Sequence, residues 1–247
     1  MIYAVGDIHG QSESLDRALR LIEADGGAHA RVVFVGDYTD RGLDVSGVVD
    51  RLLSGLEQGR NWVVLRGNHD RMFVRFVRDG VAVDPRIKSG KGWLHDALGG
   101  KATLVSYGVD LPVQGEEITD PALVAEIAAE ARAKVPAAHI DFLASRALWH
   151  DEGGLRFVHA GLRPGVPMDQ QDEDDLIWIR DGWLDSDADH GPLVVHGHTA
   201  LDHPAHYGNR LNIDGGAGFG RPLVPVAIDG RTAWALSESG RAPIRPE

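Results

Sequence analysis

The first third of the sequence repeats one pattern three times: an apolar run, a glycine, and then side chains that can bind metal ions. The polar segments are 6–10, 36–42 and 66–70, and the apolar runs before them are 2–5, 32–35 and 62–65. The segments recur about every 30 residues, which is the length of a βαβ unit. Parallel strands present their carboxyl ends at one edge of a sheet, so these segments are expected to meet there. The pattern predicts an α/β fold with a site at strand ends.

Apolar residues at helical spacing fill the gaps between these strands. They run from Leu15 to Ile22 and from Val45 to Leu56, and each stretch is closed by glycine. The first 70 residues therefore read as β-α-β-α-β with right-handed crossovers. Further strands are expected before His159, His196 and Asp214. The segments 223–228 and 232–236 are expected to pair as a closing hairpin.

Residues 71–150 interrupt the strand pattern and predict helices instead. Helices are expected over Met72–Val77, around Trp93–Leu98, from Pro121 to about Lys134, and over 138–146. Asp120 before Pro121 is typical of a helix N-terminus. We interpret 71–150 as a helical insert that lies near the site and shapes substrate access. It belongs to a single predicted domain, 1–247.

The composition limits the classes of partner. The 247 residues carry a net charge of −12, contain 43% apolar residues and include no cysteine. Disulfides and thiolate metal sites are therefore excluded, and an acidic surface does not favour nucleic acid or an anionic membrane as partner. An anionic substrate remains compatible, because metal ions and arginines can make a site locally positive. The strand at the N-terminus predicts no signal peptide. No apolar run approaches the roughly 18 residues of a membrane span, and a cytoplasmic protein is expected.

Carboxylate, imidazole and amide side chains at the strand ends predict a metal site. Such a mixed nitrogen and oxygen set suits Mn²⁺, iron or Zn²⁺ better than Ca²⁺ or Mg²⁺. Asp7 and His9 lie two residues apart on an extended turn, so both can face one ion. Asp37 has two oxygens and can bridge to a second ion. Two adjacent metal ions can hold a phosphate and activate a water molecule near neutral pH.

The second ion needs ligands from further along the chain. Asn68, His159 and one of His196 or His198 would complete its site, since each follows an apolar run and has a glycine within two residues. Other readings exist for single residues, because Asp at such positions often caps the helix that follows. The acidic run 169–175 is expected to be a solvated loop rather than a metal cluster, since crowded like charges repel.

The order of five motifs carries a resemblance to a known family. They are Gly-Asp-x-His-Gly at 6–10, Gly-Asp-x-x-Asp-Arg-Gly at 36–42, Gly-Asn-His-Asp at 67–70, His-Ala-Gly at 159–161 and Gly-His-Thr at 197–199. In this order they resemble the phosphoprotein phosphatase branch of the calcineurin-like metallophosphoesterases, of the bacterial serine/threonine phosphatase and phage lambda phosphatase kind. The match runs from Asp7 to about Gly220. It implies a central β-sandwich of mixed sheets flanked by helices.

The resemblance also implies roles for individual residues. It implies two divalent metal ions, Mn²⁺ or alternatively iron or zinc. The first would be bound by Asp7, His9 and Asp37, and the second by Asp37, Asn68, His159 and His198. It makes His69 the general acid, oriented by Asp40, and makes Arg41 and Arg180 the phosphate clamp. From the residues alone, a surface ion pair is the less favoured alternative for Arg180, and a turn residue only is the less favoured alternative for Asp40.

The sequence departs from the family pattern at a few positions. Asp70 stands where eukaryotic members have glutamate, and Thr39 stands where valine or isoleucine is usual. A glycine follows Asp214 where threonine is frequent, and Ala200 replaces a histidine of the wider superfamily. None of these departures removes a ligand.

Three functions compete at this point. The first is a phosphomonoesterase acting on phosphoserine or phosphothreonine proteins or on small phosphorylated substrates. The alternative is a hydrolase of dinucleoside polyphosphates such as diadenosine tetraphosphate. Asp40 argues against this alternative, because the symmetrical diadenosine tetraphosphate hydrolases resemble this chain but usually lack that aspartate. The third is a metal-binding scaffold without catalysis, which the complete set of ligand positions disfavours.

Overall fold

Two β-sheets stacked face to face form the centre of the molecule. The computed structural model describes residues 1–111, 115 and 117–246. The strands are β1 Ile2–Val5, β2 Val32–Phe34, β3 Trp62–Val64, β4 Trp149–Glu152, β5 Leu155–Val158, β6 Leu193–His196, β7 Ala205–His206, β8 Arg210–Asn212, β9 Val226–Asp229, β10 Thr232–Ser237 and β11 Gly240–Ile244. The helices are α1 Ser12–Gly26, α2 Val45–Glu57, α3 Asn68–Asp79, α4 Gly100–Ser106, α5 Pro121–Lys134, α6 Ala137–Ala144 and α7 Glu173–Trp178.

Both sheets are mixed, as predicted. The described strands form one sheet in the order β11-β10-β9-β1-β2-β3 and a second in the order β4-β5-β6-β8-β7. Strands β1, β2 and β3 are parallel, with Tyr3 opposite Val32 and Val33 opposite Val63. Strands β5, β6 and β8 are likewise parallel. The carboxyl ends of six strands therefore lead into the polar motifs.

Alternation of side chains along each strand divides the core into layers. Ile2 and Ala4 of β1 face the second sheet and pack in one cluster with Phe157 and Val195. Tyr3 and Val5 of the same strand point the other way, into the cluster that the strand forms with the helices. Since successive side chains in a strand point to opposite faces, one short apolar strand serves both layers.

The two predicted crossover helices are confirmed. Helix α1 buries Leu15, Ala18, Leu19 and Ile22. Helix α2 buries Val45, Val48, Val49 and Leu52. Asp44 caps α2, since its side chain accepts a hydrogen bond from the Gly47 N–H. The expected β9–β10 hairpin also forms, with Asp229 opposite Thr232.

The segment 71–150 is helical, but one predicted helix is wrong. Trp93, Leu94 and Leu98 lie in turns, and the nearby helix α4 begins only at Gly100. Both Trp93 and Leu94 are buried, so apolar spacing reflected burial rather than helix formation. Helix α5 begins as predicted, because Asp120 accepts hydrogen bonds from two backbone N–H groups of its first turn.

The acidic run 169–175 differs from the expected solvated loop. Its second half begins α7, and Asp172 caps that helix by accepting a bond from the Asp174 N–H. The buried Asp175 forms a bidentate pair with Arg163, at 2.7 and 2.8 Å. Arginines therefore neutralise part of the like charge. Strands β4, β7 and β11 escaped the sequence analysis. β4 and β11 are largely exposed and β7 has two residues, so none shows an apolar pattern.

No helix in the described part of the chain is long and apolar enough to cross a membrane.

Candidate active site

The first three motifs pack backbone against backbone at the sheet edge. The N–H groups of Ile8 and His9 both donate to the carbonyl of Asp37, each at 2.9 Å. Gly67 of the third motif lies so close that an added Cβ would sit 2.1 Å from Oδ1 of Asp37. The glycine is therefore required for contact between the motifs, not for flexibility.

Backbone strain concentrates at these loops. Five non-glycine residues of the described chain have positive φ angles, and all belong to the predicted site: His9, Asp37, Asp40, Arg41 and His198. Each such conformation costs on the order of 1–3 kcal/mol and persists only where surrounding contacts enforce it. The backbone is thus locally destabilised at the positions that the sequence predicted to bind metal or take part in catalysis.

Asp37 occupies the centre of the cluster. Its Oδ1 accepts a hydrogen bond from the His69 N–H at 2.9 Å, while Oδ2 lies 3.8 Å from Nε2 of His9 and 3.4 Å from Nε2 of His159. Burial opposes ionisation of Asp37, but the nearby histidines, His159 foremost, outweigh it and hold its pKa well below the usual range. The carboxylate is therefore charged and faces imidazoles on both sides.

Asn68, His159 and His198 lie on one side of Asp37. Nε2 of His159 is 2.9 Å from Oδ1 of Asn68. Burial alone would lower the pKa of His159, but the Asp37 carboxylate outweighs burial and raises it to about 9. Two oxygen acceptors facing one ring nitrogen require a proton or a metal ion between them. This is the arrangement predicted for the second ion.

Asp7 links the first motif to the last. Its carboxylate accepts from the His198 N–H, at 3.1 and 3.2 Å to the two oxygens. Its Oδ2 lies 3.9 Å from Nε2 of His9. Neither Asp7 nor Asp37 caps the helix that follows it, since α1 has no side-chain cap and α2 is capped by Asp44. The capping alternative is therefore wrong.

The donor set fits divalent metal ions. Possible ligand atoms of His9, Asp37 and His69 lie within 4.8 Å of one another, and so do those of Asp37, His159 and His198. His9 and His159 donate from Nδ1 to the carbonyls of Thr39 and Val35, at 2.7 and 3.0 Å, which turns both Nε2 atoms inward. Metal-binding histidines are typically oriented in this way. Nε2 of His198 is buried and has no hydrogen-bond partner among the described residues.

His69 and Asp40 form a buried pair. Nδ1 of His69 donates to Oδ2 of Asp40 at 2.6 Å. Burial raises the pKa of Asp40 to about 8 and lowers the pKa of His69 to about 3. Both shifts favour the uncharged form of each group at pH 7, and the bond between Nδ1 and Oδ2 holds a proton.

Two residues of the segment 71–150 fix Asp40, and sequence reasoning missed both. Trp93 donates from Nε1 to Oδ2 at 2.8 Å, and Thr103 donates from Oγ1 to Oδ1 at 2.7 Å. The Thr103 hydroxyl also accepts from the Asp40 N–H. Asp40 is therefore more than a turn residue. No motif surrounds Trp93 or Thr103, so the sequence held no signal for this role.

Asp70 is a third missed residue, although it lies inside a motif. Its carboxylate accepts from the N–H groups of Gly67, Asp37 and Tyr38, each at 2.9 Å. A buried carboxylate thus ties the second motif to the third. Its place in Gly-Asn-His-Asp was the signal that could have revealed it.

Arg41 reaches across the cluster. Its guanidinium donates to Nε2 of both His9 and His69, the latter at 3.3 Å, and stacks 4.5 Å from the ring centre of Phe219. A ring nitrogen has one lone pair, so His9 can accept from Arg41 or bind a metal ion, but not both at once. Arg41 must therefore shift if His9 is a ligand.

Arg180 and His198 share one wall of the cavity. Arg180 donates from Nη2 to the carbonyl of His198 at 3.2 Å, while the neighbouring Asp181 pairs with Lys88. His196, the other candidate of its motif, is fully buried with its ring 5.4 Å from that of Trp183, and it does not line the cavity. Of the two histidines, His198 is the one at the site.

A cavity of about 640 Å³ opens above the cluster, within the usual range for small-molecule sites. Its floor includes Asp7, Asp37, Asn68, His69 and His198. Its cationic side chains are Arg41, Arg86, Lys88, Arg163 and Arg180. Four aspartates also line it, Asp7, Asp37, Asp175 and Asp181, so five cationic side chains face four acidic ones.

Hydrolysis of phosphoric esters with bound divalent metal ions is the chemistry that this fold and donor set serve, and the protein is an enzyme of that class. It belongs to the calcineurin-like phosphoesterase family, whose model matches residues 1–220.

Individual relatives differ in what they are named for. The chain is 26% identical to the asymmetrical bis(5′-nucleosyl)-tetraphosphatase PrpE of Anoxybacillus flavithermus, over 92% of this chain and 90% of the relative. A candidate diadenosine tetraphosphatase of known structure superposes with a TM-score of 0.59 at 19% identity, over 99% and 93% of the two chains. A cold-active protein-tyrosine phosphatase from a Shewanella species superposes with a TM-score of 0.65 at 15% identity, over 99% and 80%. The two structures support the fold alone.

Proposed function

We propose that this enzyme hydrolyses dinucleoside polyphosphates, such as diadenosine tetraphosphate, asymmetrically to ATP and AMP. The observation that carries the proposal is the cavity wall, where Arg86 and Lys88 add positive charge beyond the metal cluster, while Arg163 is paired with Asp175. A chain of several phosphates needs such an extended cationic surface. The similarity to an asymmetrical bis(5′-nucleosyl)-tetraphosphatase supports this reading. It therefore replaces serine/threonine protein phosphatase as the leading hypothesis.

The metal assignment is part of the proposal. Asp7, His9 and Asp37 would bind one divalent ion, and Asp37 would share the second with Asn68, His159 and His198. Bound Mn²⁺, or iron or zinc in its place, would neutralise phosphate charge and lower the pKa of a bound water molecule. The inward-facing Nε2 atoms support this assignment, and so does Nε2 of His198, for which the described part of the chain offers no hydrogen-bond partner.

The remaining residues act on substrate and leaving group. Arg41 and Arg180 would hold phosphate oxygens through planar, charge-assisted hydrogen bonds and stabilise the transition state. His69 would protonate the leaving oxygen from Nε2, for which it must carry a second proton. The Asp40 carboxylate, 2.6 Å from Nδ1, would stabilise that imidazolium.

A phosphomonoesterase acting on phosphoserine or phosphothreonine is the second candidate. The His69–Asp40 pair favours it, because an alkoxide leaving group needs a proton in the transition state. The nucleotide released from a dinucleoside polyphosphate leaves as a phosphate, which is a weaker base and depends less on protonation. The loss of kcat on removing His69 should therefore be larger for a phosphomonoesterase than for a dinucleoside polyphosphate hydrolase.

The domain organisation is also proposed. We infer that 1–247 forms a single domain and that the insert 71–150 shapes access to the site. Residues 85–88 and Leu98 of this segment line the cavity, which supports the inference.

Product analysis tests the proposed function. Mn²⁺-loaded protein is incubated separately with diadenosine tetraphosphate and with a phosphothreonine peptide at equal enzyme concentration. We expect ATP and AMP from the dinucleotide and slow phosphate release from the peptide. Rapid phosphate release with an intact dinucleotide would instead establish the second candidate. Two ADP molecules would contradict the asymmetrical cleavage.

A further inference from the structure

A short loop of the segment 71–150 brings two cations to the cavity wall. Residues 85–88 line the cavity, and Asp84 anchors them. Asp84 is only 3% exposed and accepts hydrogen bonds from Nη2 of Arg71 and Nη1 of Arg75, both at 3.1 Å. Helix α3, which carries these arginines, also carries Asn68 and His69 at its start. The loop is thus tied to the helix that begins at the metal cluster.

The backbone of the loop is folded upon itself. Oδ1 of Asp84 accepts from the Arg86 N–H at 3.0 Å, and its carbonyl accepts from the Ile87 N–H at 3.1 Å. The Ile87 carbonyl in turn accepts from Gly90 at 3.0 Å. A loop ordered before binding does not lose backbone freedom when a ligand arrives. Its side chains are therefore presented from a fixed frame.

The two cations retain capacity for another anion. Arg86 lies 3.6 Å from Asp175 and 3.9 Å from Asp174, beyond hydrogen-bond distance, and Asp175 is already held by Arg163. Lys88 pairs with Asp181, but these side chains are 84% and 82% exposed. An ion pair so exposed to water contributes little stability. Both cations can therefore exchange their carboxylates for phosphate oxygens.

One phosphate at the metal cluster does not require these groups, because Arg41 and Arg180 are available for it. We propose that loop 84–88 is a second phosphate subsite, in which Arg86 and Lys88 bind the phosphates that extend beyond the one at the metal cluster. The assignment of those phosphates to a nucleoside polyphosphate rests on the proposed function. Asp84 is a positioning residue for this subsite, since it touches the loop and not the substrate.

Competition against p-nitrophenyl phosphate hydrolysis tests the subsite. The inhibitors are AMP and a non-hydrolysable methylene analogue of ATP, with Mn²⁺ in excess over both. The wild-type protein should bind the triphosphate analogue more tightly than AMP. The double variant Arg86→Ala/Lys88→Ala should lower the ratio of the two inhibition constants about tenfold, the equivalent of about 1.4 kcal/mol. Arg20→Ala, which removes an exposed arginine of α1, is the matched control and should keep the wild-type ratio.

The possible results distinguish phosphate binding at the subsite from hydrolysis of the dinucleotide. An unchanged ratio in the double variant overturns the subsite, and so does an equal rise of both inhibition constants, which would show a general field effect. A wild-type protein without preference for the triphosphate analogue also overturns it. A protein that shows the preference but leaves diadenosine tetraphosphate intact supports the subsite and disproves the proposed function.

Discussion

Two regions build the walls of this cavity in different ways. The strand-end loops contribute Asp7, Asp37 and their partners within a few residues of a buried strand, and they hold the backbone in strained conformations. The segment 71–150 contributes side chains from turns and helices scattered over its length, such as Trp93 and Thr103. The first region places atoms by backbone geometry, whereas the second places them by side-chain contacts.

Asp40 is held by contacts from both regions. Its backbone belongs to the second strand-end motif, but its carboxylate is fixed by two donors from the other region. A motif can thus specify which residue stands at the site without specifying its orientation or its protonation. Mutations in each region test whether their contributions to the site can be separated.

The largest effect is expected for Asp37→Ala. Because Asp37 lies between the two histidine groups, its loss should remove bound metal and reduce kcat on the order of 10³-fold. Metal per chain, measured by mass spectrometry, and kcat are the readouts. Asp44→Ala is the control from the same loop; it should cost about 1 kcal/mol of stability through the lost cap but leave metal content intact. Full metal content in Asp37→Ala would remove this residue from the proposed centre.

His69→Asn comes next. If His69 is the acid, kcat for a phosphothreonine peptide should fall about 10²- to 10⁴-fold, with a smaller loss for diadenosine tetraphosphate. Metal content should not change. His69 also lies within ligand distance of His9 and Asp37, so loss of metal would identify it as a ligand instead. Unchanged turnover on both substrates would reject the acid role.

Thr103→Val tests the contact between the regions. It removes one donor to the buried Asp40 carboxylate and should destabilise the protein by about 1–3 kcal/mol. We expect kcat to fall about tenfold, the usual size for an orienting partner. Tyr107→Phe removes a comparable hydroxyl, bonded to His139, and should lower stability without changing kcat. Equal kinetics in the two variants would show that the segment 71–150 does not tune Asp40.

Asp84→Asn should have a smaller effect on catalysis. Loss of the charge between Arg71 and Arg75 should cost about 2 kcal/mol of stability. Hydrogen exchange should accelerate in residues 85–88, while metal content stays intact. Asp141→Asn breaks an exposed ion pair with Arg78 and serves as the control, at less than about 1 kcal/mol. Unaltered exchange in Asp84→Asn would show that other contacts hold the loop.

The smallest change is expected for Phe219→Ala. Phe219 is 62% exposed and stacks on Arg41, a contact of about 0.5–1 kcal/mol at such a site. KM should therefore rise by about two- to fivefold. Leu43→Ala removes another exposed apolar side chain without a stacking partner and should leave KM at its wild-type value. Matching KM values in the two variants would argue that Phe219 does not position Arg41.

The sequence by itself determined the strands that lead into the motifs and the composition of the cluster. Apolar runs and the glycines at strand ends are local properties, so apolar runs followed by Asp, His or Asn predicted which residues would meet. The six proposed ligand positions do lie together, joined by the contacts of Asp7, Asp37 and Asn68. Capping residues such as Asp44 and Asp120 are equally local.

Only the tertiary structure decided the rest. Trp93 and Thr103 are 53 and 63 residues from Asp40, and Asp84 contacts arginines on another element. Such contacts depend on how helices pack after the chain has folded, and no periodicity or spacing encodes them. From the residues alone His196 and His198 were equivalent, and only the resemblance pointed to His198; the structure shows the physical reason, since His196 packs against Trp183 in the core while His198 lines the cavity. Packing, rather than local sequence, sets these orientations.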